Sequence, residues 1–437
     1  MKQPAPESLY RQILRLTYPN ILSNITVPLL MISDIAMAGR MAGGESIAAV
    51  TVGAAVTSFV VGQWSLLRMG TTGFTAQARG AGDVAALGRG LASGSLIALV
   101  VGLVLALASP LYVAPVASLF EREGGALSLA AQDYLGYAFL GLPAALLLYV
   151  FNGWLVGMQQ MKLVMSISIA SNVLNITYSY LLAFPLGLGV GGLALGTVLA
   201  QYSALVLLAL GGWRREREVL SRLRLSDAWH PETILRYFHV GKHLMLRTLL
   251  LQSVMLSFVY IGGRMGSVTL AANGLLMQLF SLFSYFMDGL AYAAEALVGE
   301  AVGARDRRRL GEVIPAVVRL GAGVALCFAL LYALIPEPLL TLLTDKADVL
   351  ARATEERLWI AVVPLASFLA FLGDGIMVGA TRSIDMSRAV LVGLVGYVLL
   401  YAATASWLGV DALWLAFVSY LALRSGWVLR AARRLYA

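Results

Sequence analysis

Residues 14–38 read LRLTYPNILSNITVPLLMISDIAMA. This run is mostly apolar, and it contains two prolines, Pro19 and Pro28, and a single acid, Asp34. A helix needs about 20 apolar residues to cross the hydrocarbon core of a bilayer. The run is therefore predicted to be a membrane-spanning helix, and Asp34 is predicted to lie inside the membrane.

The rest of the chain repeats this pattern. Of its 437 residues 59% are hydrophobic and only 13% are charged, whereas soluble domains carry about 25% charged residues. Runs this long and this uniformly apolar favour helices, because the strands of a membrane barrel alternate in polarity. The twelve predicted spans are Leu14–Ala38, Ser46–Ala76, Gly90–Ala114, Tyr134–Gly157, Leu163–Phe184, Gly191–Trp213, Tyr237–Ile261, Val268–Ala301, Val313–Leu334, Leu358–Gly379, Ala389–Trp407 and Ala412–Val428.

The composition excludes several classes of protein. An ordinary soluble enzyme is excluded by the hydropathy, and Cys327, the only cysteine, excludes a disulfide framework. The net charge of +8 sits in short loops between apolar runs, which indicates membrane topology and not nucleic-acid binding. No G-x-x-x-x-G-K-[ST] motif is present, so the chain carries no ATP-binding loop of that kind.

Basic residues are distributed unevenly between the predicted loops. The termini and the even-numbered loops hold 21 arginines and lysines, and the odd-numbered loops hold 6. Because basic loops stay in the cytoplasm, we expect both termini to be cytoplasmic and the protein to lie in a bacterial inner membrane.

The two halves of the chain contain matching motifs in the same order, about 223 residues apart. The clearest pairs are Gly39-Arg40-Met41 with Gly263-Arg264-Met265, Gly80-Ala81-Gly82-Asp83 with Gly303-Ala304-Arg305-Asp306, and Asn152-Gly153 with Asp374-Gly375, the last pair followed by Gly157 and Gly379. The glycine pairs have the spacing of close helix contacts.

This repeat predicts an all-α polytopic membrane protein with twelve transmembrane helices in two pseudo-symmetric six-helix bundles. We expect an N-terminal lobe at residues 1–213, a basic cytoplasmic linker at 214–233 and a C-terminal lobe at 234–437. Each lobe has an even number of spans, so the two repeats run parallel. Parallel repeats in transporters place the substrate path at their interface, where rocking gives alternating access.

Asp34 is the sharpest candidate for function. It has no basic residue one turn away, and an acid inside the membrane costs roughly 2.5–3.5 kcal/mol to insert. A carboxyl group that alternates between charged and neutral can carry a coupling proton or hold Na⁺. The alternative is a permanently neutral acid that only specifies packing.

The N-terminal half also supplies uncharged polar groups. Asn172, Asn175 and Ser179 share one helix face by their spacing, and they could orient Asp34 or complete a cation shell. The alternative is hydrogen bonding that only holds the helices together. Pro19 and Pro28 allow a bend in the first span, either fixed or dependent on the charge of Asp34.

The C-terminal half contains a second set of charged residues inside predicted spans, namely Arg247, Asp288, Glu295 and Asp374. They could form a second site for a cation or for a charged substrate. The alternative is a structural ion pair of Arg247 with Asp288 or with Asp374.

Several of these stretches resemble the MATE (multidrug and toxic compound extrusion) transporters. Residues 19–40 resemble the first helix of that family, while residues 288–299 and 371–376 resemble its DinF-like branch. The resemblance covers essentially the whole chain. It implies a V-shaped pair of six-helix lobes and cation-coupled export of organic compounds.

The resemblance also implies roles for individual residues. Asp34 matches the aspartate of the family's first helix, and Asp374 matches an acid of the C-lobe site in the NorM branch. The N-lobe cation site would also include Tyr134, Asn152, Asn175 and Thr197. Two positions depart from the family: Ser179 stands where an acid is expected, and Leu251 and Gln252 occupy the region of the NorM acid of the seventh helix.

The sequence as a whole predicts a secondary antiporter that exports cationic amphiphilic compounds in exchange for H⁺ or Na⁺. We expect a monomer in the lipid bilayer with no cofactor, no bound metal except Na⁺ at Asp34, and no nucleic-acid partner. The alternative is a flippase for a lipid-linked saccharide, which Arg68 and Arg247 would suit. A membrane enzyme would need a cluster of catalytic groups, and a scaffold would need extramembrane domains; the sequence offers neither.

Overall fold

The structure is a computed structural model, and it describes residues 8–41, 45–120 and 125–436. Lys2 and Arg122, which were counted among the basic residues above, lie outside this part. The described residues form helices and contain no strand. The all-α prediction is therefore confirmed.

Within the described residues, the N-terminal half forms eight α-helices before the linker. They are α1 (Leu9–Ala38), α2 (Glu45–Gln63), α3 (Ser65–Gly80), α4 (Val84–Ala117), α5 (Ala126–Ala138), α6 (Leu142–Gly157), α7 (Met161–Ala183) and α8 (Gly189–Arg215). A short helix, α9 (Arg217–Leu220), and a 3-10 turn (Leu225–Trp229) follow in the linker.

The C-terminal half is built from α10 to α17. These are α10 (Pro231–Arg264), α11 (Ser267–Gly303), α12 (Arg307–Leu334), α13 (Pro336–Thr341), α14 (Ala347–Glu355), α15 (Arg357–Gly379), α16 (Ser383–Leu408) and α17 (Val410–Arg433).

Eleven stretches of the described chain are long and apolar enough to span a membrane, if α2–α3 and α5–α6 each count as one broken span. The helix α7 covers the remaining predicted span and is 23 residues long, which is enough to cross. It falls outside the eleven because polar residues such as Asn172, Asn175 and Thr177 interrupt it. All twelve predicted spans are therefore helical.

Loop geometry confirms the internal repeat. Asp83 caps α4 by accepting a hydrogen bond from the Ala86 amide at 2.8 Å, and Asp306 caps α12 by accepting one from the Arg309 amide at 2.9 Å. Left-handed backbone precedes each cap, at Gly82 (φ 69°) and Arg305 (φ 56°). Two turns 223 residues apart thus have one conformation, although only one of them contains glycine.

Helix packing repeats in the same way. A Cβ atom on Gly153 of α6 would lie 2.3 Å from the carbonyl oxygen of Arg68 on α3, and one on Gly375 of α15 would lie 2.3 Å from that of Ala291 on α11. Real Cβ atoms do not approach so closely, so both crossings require glycine. The packing role predicted for these glycines is confirmed.

The chain divides into two compact units, an N-terminal unit at Leu22–His239 and a C-terminal unit at Val240–Ala437 together with Met1–Ile21. Both boundaries fall inside helices, α1 and α10, and so differ from the lobe boundaries expected at 213 and 234. Local contacts explain the difference. The Tyr237 hydroxyl at the start of α10 lies 2.7 Å from the Thr71 hydroxyl and donates to the Gly90 carbonyl at 3.0 Å, both in the N-terminal unit.

The start of α1 is held in the C-terminal unit by equivalent means. Arg309 donates a hydrogen bond to the side chain of Gln12 at 2.7 Å. A Cβ atom on Gly289 would lie 2.6 Å from the side chain of Ile21, which shows how closely α11 approaches α1 there. The first turns of α1 therefore pack in the C-terminal unit, and the first turns of α10 pack in the N-terminal unit. Each lies outside the lobe to which the sequence assigned it.

Candidate functional site

Asp34 lies four residues before the end of α1 and is half-buried. Its Oδ1 atom is shielded from solvent, and no described residue donates a hydrogen bond to it. The residues that follow, Met37 and Ala38, pack into an apolar cluster with Tyr134 and Leu193. A bare negative charge is costly in such surroundings, so a proton or a bound cation would stabilise this carboxyl group.

Tyr134 is the predicted site residue that packs in the same apolar cluster as the end of α1. Its phenol is 6% exposed and lies within electrostatic reach of the Asp34 carboxylate. The ring is fixed on α5 by Gly53 of α2, where a Cβ atom would lie 2.2 Å from the ring. Tyr134 is therefore a rigid neighbour of the acid, and its role in cation binding stays a prediction.

Asn175, Ser179 and Thr197 form a hydrogen-bonded set between α7 and α8. The Asn175 amide donates to the Thr197 hydroxyl at 2.9 Å, and the Ser179 and Thr197 hydroxyls each donate to the Leu193 carbonyl at 3.2 Å. The structure thus brings these three predicted residues together. Their hydrogen bonds are made within the set, so the packing alternative accounts for them as well as a cation shell does.

A contact that the sequence did not reveal links α7 to α1. The Asn172 amide donates to the Thr26 hydroxyl at 2.8 Å, and Thr26 lies about two helical turns before Asp34. No sequence signal paired these residues, since polar side chains 146 positions apart have many potential partners. Asn152 lies half-buried on α6, and its predicted role is untested.

The two prolines of the first span do not break it. The helix α1 is continuous from Leu9 to Ala38 and passes through both Pro19 and Pro28. Each proline removes one backbone hydrogen bond, so the helix is weakened at two points before Asp34. Whether it bends with the charge of Asp34 stays a prediction.

Asp374 on α15 has the opposite environment. Its Oδ2 atom accepts hydrogen bonds from Arg247 of α10 and from Nη2 of Arg424 on α17, the latter at 3.0 Å. Arg424 is 7% exposed and also donates to the Tyr420 hydroxyl at 3.3 Å. One carboxylate thus connects three helices of the C-terminal unit.

The negative charge of this carboxylate is already compensated by two guanidinium groups, so the acid is not available to bind a cation. The structure therefore favours the ion-pair alternative for Arg247, with Asp374 as its partner, over a second cation site. The cluster of these three side chains carries one excess positive charge. Arg424 was missed as a site residue, although the signal existed: it is a basic residue inside the last predicted span.

The other two acids of the predicted C-lobe site lie on α11. Glu295 is 2% exposed and Asp288 is half-buried, and neither takes part in the hydrogen bonds that hold Asp374. Within the described residues, no group of three or more His, Cys, Asp and Glu side chains is arranged to hold a metal ion.

One acid that sequence reasoning missed, Glu356, lies just before α15 and outside the membrane-spanning segments. Burial and the adjacent Asp411 carboxyl group raise the pKa of Glu356 to about 7, while Arg352, whose Nη2 atom lies 2.8 Å from Oε1, opposes this shift. Trp359 donates to Asp411 at 2.7 Å and holds that carboxyl group near the first turn of α15. Sequence spacing predicts Glu356–Arg352 but not the contact with Asp411.

Comparison with known proteins gives consistent matches. The MatE family model matches residues 19–181 and 244–402, one stretch in each half. The DNA damage-inducible protein F of Escherichia coli is 37% identical over 418 residues, which cover 94% of this chain and 89% of that protein. A probable multidrug resistance protein NorM of Rhizobium meliloti is 26% identical over 88% of this chain and 80% of that protein.

Solved structures agree on the fold. A Vibrio cholerae MATE transporter in its bent form superimposes with a TM-score of 0.87 at 18% identity, covering 98% of this chain and 97% of that one. A MOP superfamily transporter of Pyrococcus furiosus, described as having a binding pocket of reverse polarity that suggests a different function, gives a TM-score of 0.83 at 20% identity over 98% and 96% of the two chains.

Proposed function

The chain belongs to the MatE family, whose members are membrane transporters and not enzymes, and from this we propose that it is a secondary antiporter. It exports organic amphiphilic compounds in exchange for H⁺ or Na⁺, with Asp34 as the coupling carboxyl group. Two rocking lobes give alternating access. The protein acts in a bacterial inner membrane with both termini in the cytoplasm, as the distribution of basic residues indicates.

One observation carries this proposal: Asp34 is an intramembrane acid without a cationic partner among the described residues. Its Oδ1 atom is buried and unpaired, so binding of H⁺ or Na⁺ changes its energy strongly. Tyr134 is positioned to respond to that change. Cation entry on one side and release on the other would then drive the lobes between their two states.

Transport in proteoliposomes tests this mechanism. We expect efflux of an ethidium-like dye to follow an imposed proton or sodium gradient, and Asp34→Asn to abolish the gradient-driven part while the dye still binds. Asp133→Asn is the matched control, because Asp133 is an exposed acid on α5 and its loss should leave efflux unchanged. Full gradient-driven efflux by Asp34→Asn would refute the coupling role.

A second candidate function is a flippase for a lipid-linked anionic saccharide. The excess positive charge of Arg247, Asp374 and Arg424 favours it, and the Pyrococcus furiosus relative is described as having reversed pocket polarity. Movement of a lipid-linked substrate that is independent of both imposed gradients would support this function over antiport.

A further inference from the structure

A cavity of about 320 Å³ lies in the N-terminal unit, where the linker packs on the start of α4. The short helix α9 and the 3-10 turn Leu225–Trp229 form its other walls. The turn is fastened to α4 by a hydrogen bond from the Ser93 hydroxyl to the Asp227 carbonyl at 2.9 Å. The cavity is therefore formed by parts that are fixed to one another, and none of its residues belongs to the site around Asp34.

Three arginines line this cavity: Arg89, Arg222 and Arg224. Arg89 is the least exposed of the three, with 30% of its side chain accessible to solvent, and its guanidinium lies 3.7 Å from the Asp83 carboxylate. Arg222 pairs with Glu218 at 3.1 Å, at the exposed mouth. Because each guanidinium carries five N–H donors, these ion pairs leave most of the donors available to a ligand.

Asp227 also lines the cavity, and its carboxylate is hydrogen-bonded to the backbone. Asp227 accepts a hydrogen bond from the Arg224 amide at 2.9 Å through Oδ2, so it closes the turn between them. The cavity also contains Val84 and Ala85, the first residues of the 34-residue helix α4. Their amides have no acceptor within the helix, and the Asp83 cap takes the Ala86 amide instead. These two donors are open to an anion, although the Asp83 carboxylate already offsets part of the helix dipole.

Two exposed tryptophans indicate the depth of the cavity in the membrane. Trp229 ends the 3-10 turn and is 68% exposed, and Trp213 near the end of α8 is 47% exposed. Exposed tryptophans in membrane proteins lie at the level of the lipid headgroups. On the cytoplasmic topology proposed above, on which this inference rests, the basic linker and this end of α4 lie on the cytoplasmic side. The mouth of the cavity would then face the phosphates of the inner leaflet.

We propose that this cavity is a binding site for the phosphate group of an anionic phospholipid of the inner leaflet. Guanidinium groups suit phosphate because they donate several hydrogen bonds in one plane, and basic pockets at cytoplasmic helix ends recognise lipid headgroups. The bound headgroup joins α4 to the linker within the N-terminal unit. This site is independent of the antiport proposed above, since it holds a lipid and transports nothing.

Lipid binding to the full-length purified protein tests the proposal. We expect native mass spectrometry in detergent to show retained phosphatidylglycerol and not phosphatidylcholine. The double variant Arg222→Gln/Arg224→Gln should weaken phosphatidylglycerol binding by about tenfold or more, because charge-assisted hydrogen bonds are lost. The matched control is Arg214→Gln/Arg217→Gln, which removes the same charge from exposed linker residues that do not line the cavity.

Each of the following three outcomes would overturn the proposal. Equal weakening by both double variants would show a general attraction of the basic linker for anionic lipid. Full displacement of the lipid by inorganic phosphate at millimolar concentration would show a site for a soluble anion. Unchanged binding by Arg222→Lys/Arg224→Lys would show that the planar guanidinium geometry is not used, and thermal unfolding of every variant shows that it is folded.

Discussion

Asp34 and Asp374 are both acids within membrane-spanning helices, but their side chains have opposite surroundings in the two units. Asp34 has an unpaired, buried oxygen, whereas Asp374 is held by Arg247 and Arg424. The internal repeat does not relate the two acids, because Asn152 is the counterpart of Asp374. The repeat therefore preserves helix packing and turns, while the surroundings of the two acids differ between the halves: one has an unpaired oxygen, and the other is paired with arginines of two neighbouring helices.

The largest expected effect tests the structural side of this contrast. Asp374→Asn leaves two buried guanidinium groups without their carboxylate, and loss of one partner from a buried pair costs about 3–5 kcal/mol. We expect a clear fall in the thermal unfolding temperature in detergent. Asp34→Asn removes an unpaired acid and should leave that temperature unchanged or higher.

A triple variant provides the control for this prediction. Arg247→Met/Asp374→Leu/Arg424→Met removes all three charges, and replacing a buried ion cluster with apolar residues is often neutral or stabilising. Its unfolding temperature should lie above that of Asp374→Asn. If the single and triple variants unfold at the same temperature, the ion cluster does not stabilise the unit through charge pairing.

An intermediate effect is expected from the helix contact that supports the polar set of the N-terminal unit. A Cβ atom on Gly196 would lie 2.5 Å from Cα of Ser179 and 2.4 Å from its amide nitrogen. Gly196→Ala should therefore destabilise the protein by about 1–3 kcal/mol through overpacking, as measured by thermal unfolding. Gly136→Ala on α5 meets no atom within 4 Å, and a destabilisation of the same size there would contradict this explanation.

The smallest effect concerns Glu356. In the number of its cationic partners it lies between Asp34, which has none among the described residues, and Asp374, which has two. Glu356 has one cationic partner, Arg352, and two acidic neighbours, Asp411 and Glu355, of which Asp411 has the larger effect. The pKa of Glu356 is raised from 4.5 to about 7 in the folded protein, so the folded state resists ionisation. Stability should therefore fall as the pH rises from about 4.5 to about 7, and should stay lower above pH 7.

Glu356→Gln removes this pH dependence. At pH 8 we expect the free energy of unfolding of the variant to exceed that of the wild type by on the order of 1 kcal/mol, after screening by water at the membrane surface. The variant should therefore unfold at a higher temperature. The difference should disappear below about pH 4.5. Glu337→Gln is the control, since Glu337 is an exposed acid in the first turn of α13. An equal gain from it would point to general surface charge and not to the pair with Asp411.

Much of the fold follows from local features of the sequence. The twelve apolar runs predict the helices because each run is long enough to span a bilayer on its own. The motif pairs predict the repeat, since Asp83 and Asp306 act within their own turns. The broken spans α2–α3 and α5–α6 and the polar helix α7 show that hydropathy locates a span without giving its detailed shape.

The candidate site was predictable only in part. Asp34 is conspicuous in the sequence because an acid is costly in an apolar run, and Asn175 and Ser179 share a helix face by spacing alone. The sequence did not predict the Asn172–Thr26 hydrogen bond or the ion pair of Arg424 with Asp374. Both join residues that lie far apart in the chain, so no helical spacing relates them.

The sequence by itself determined that this chain is a helical membrane protein made of two related halves with a lone acid in its first span. The reason is that hydrophobicity and repetition are properties of segments. Only the tertiary structure decided which acid is paired, because Arg247, Asp374 and Arg424 meet through packing of α10, α15 and α17. It also decided that the first turns of α1 and α10 pack outside the halves that encode them, since those contacts depend on helix positions that no single segment specifies.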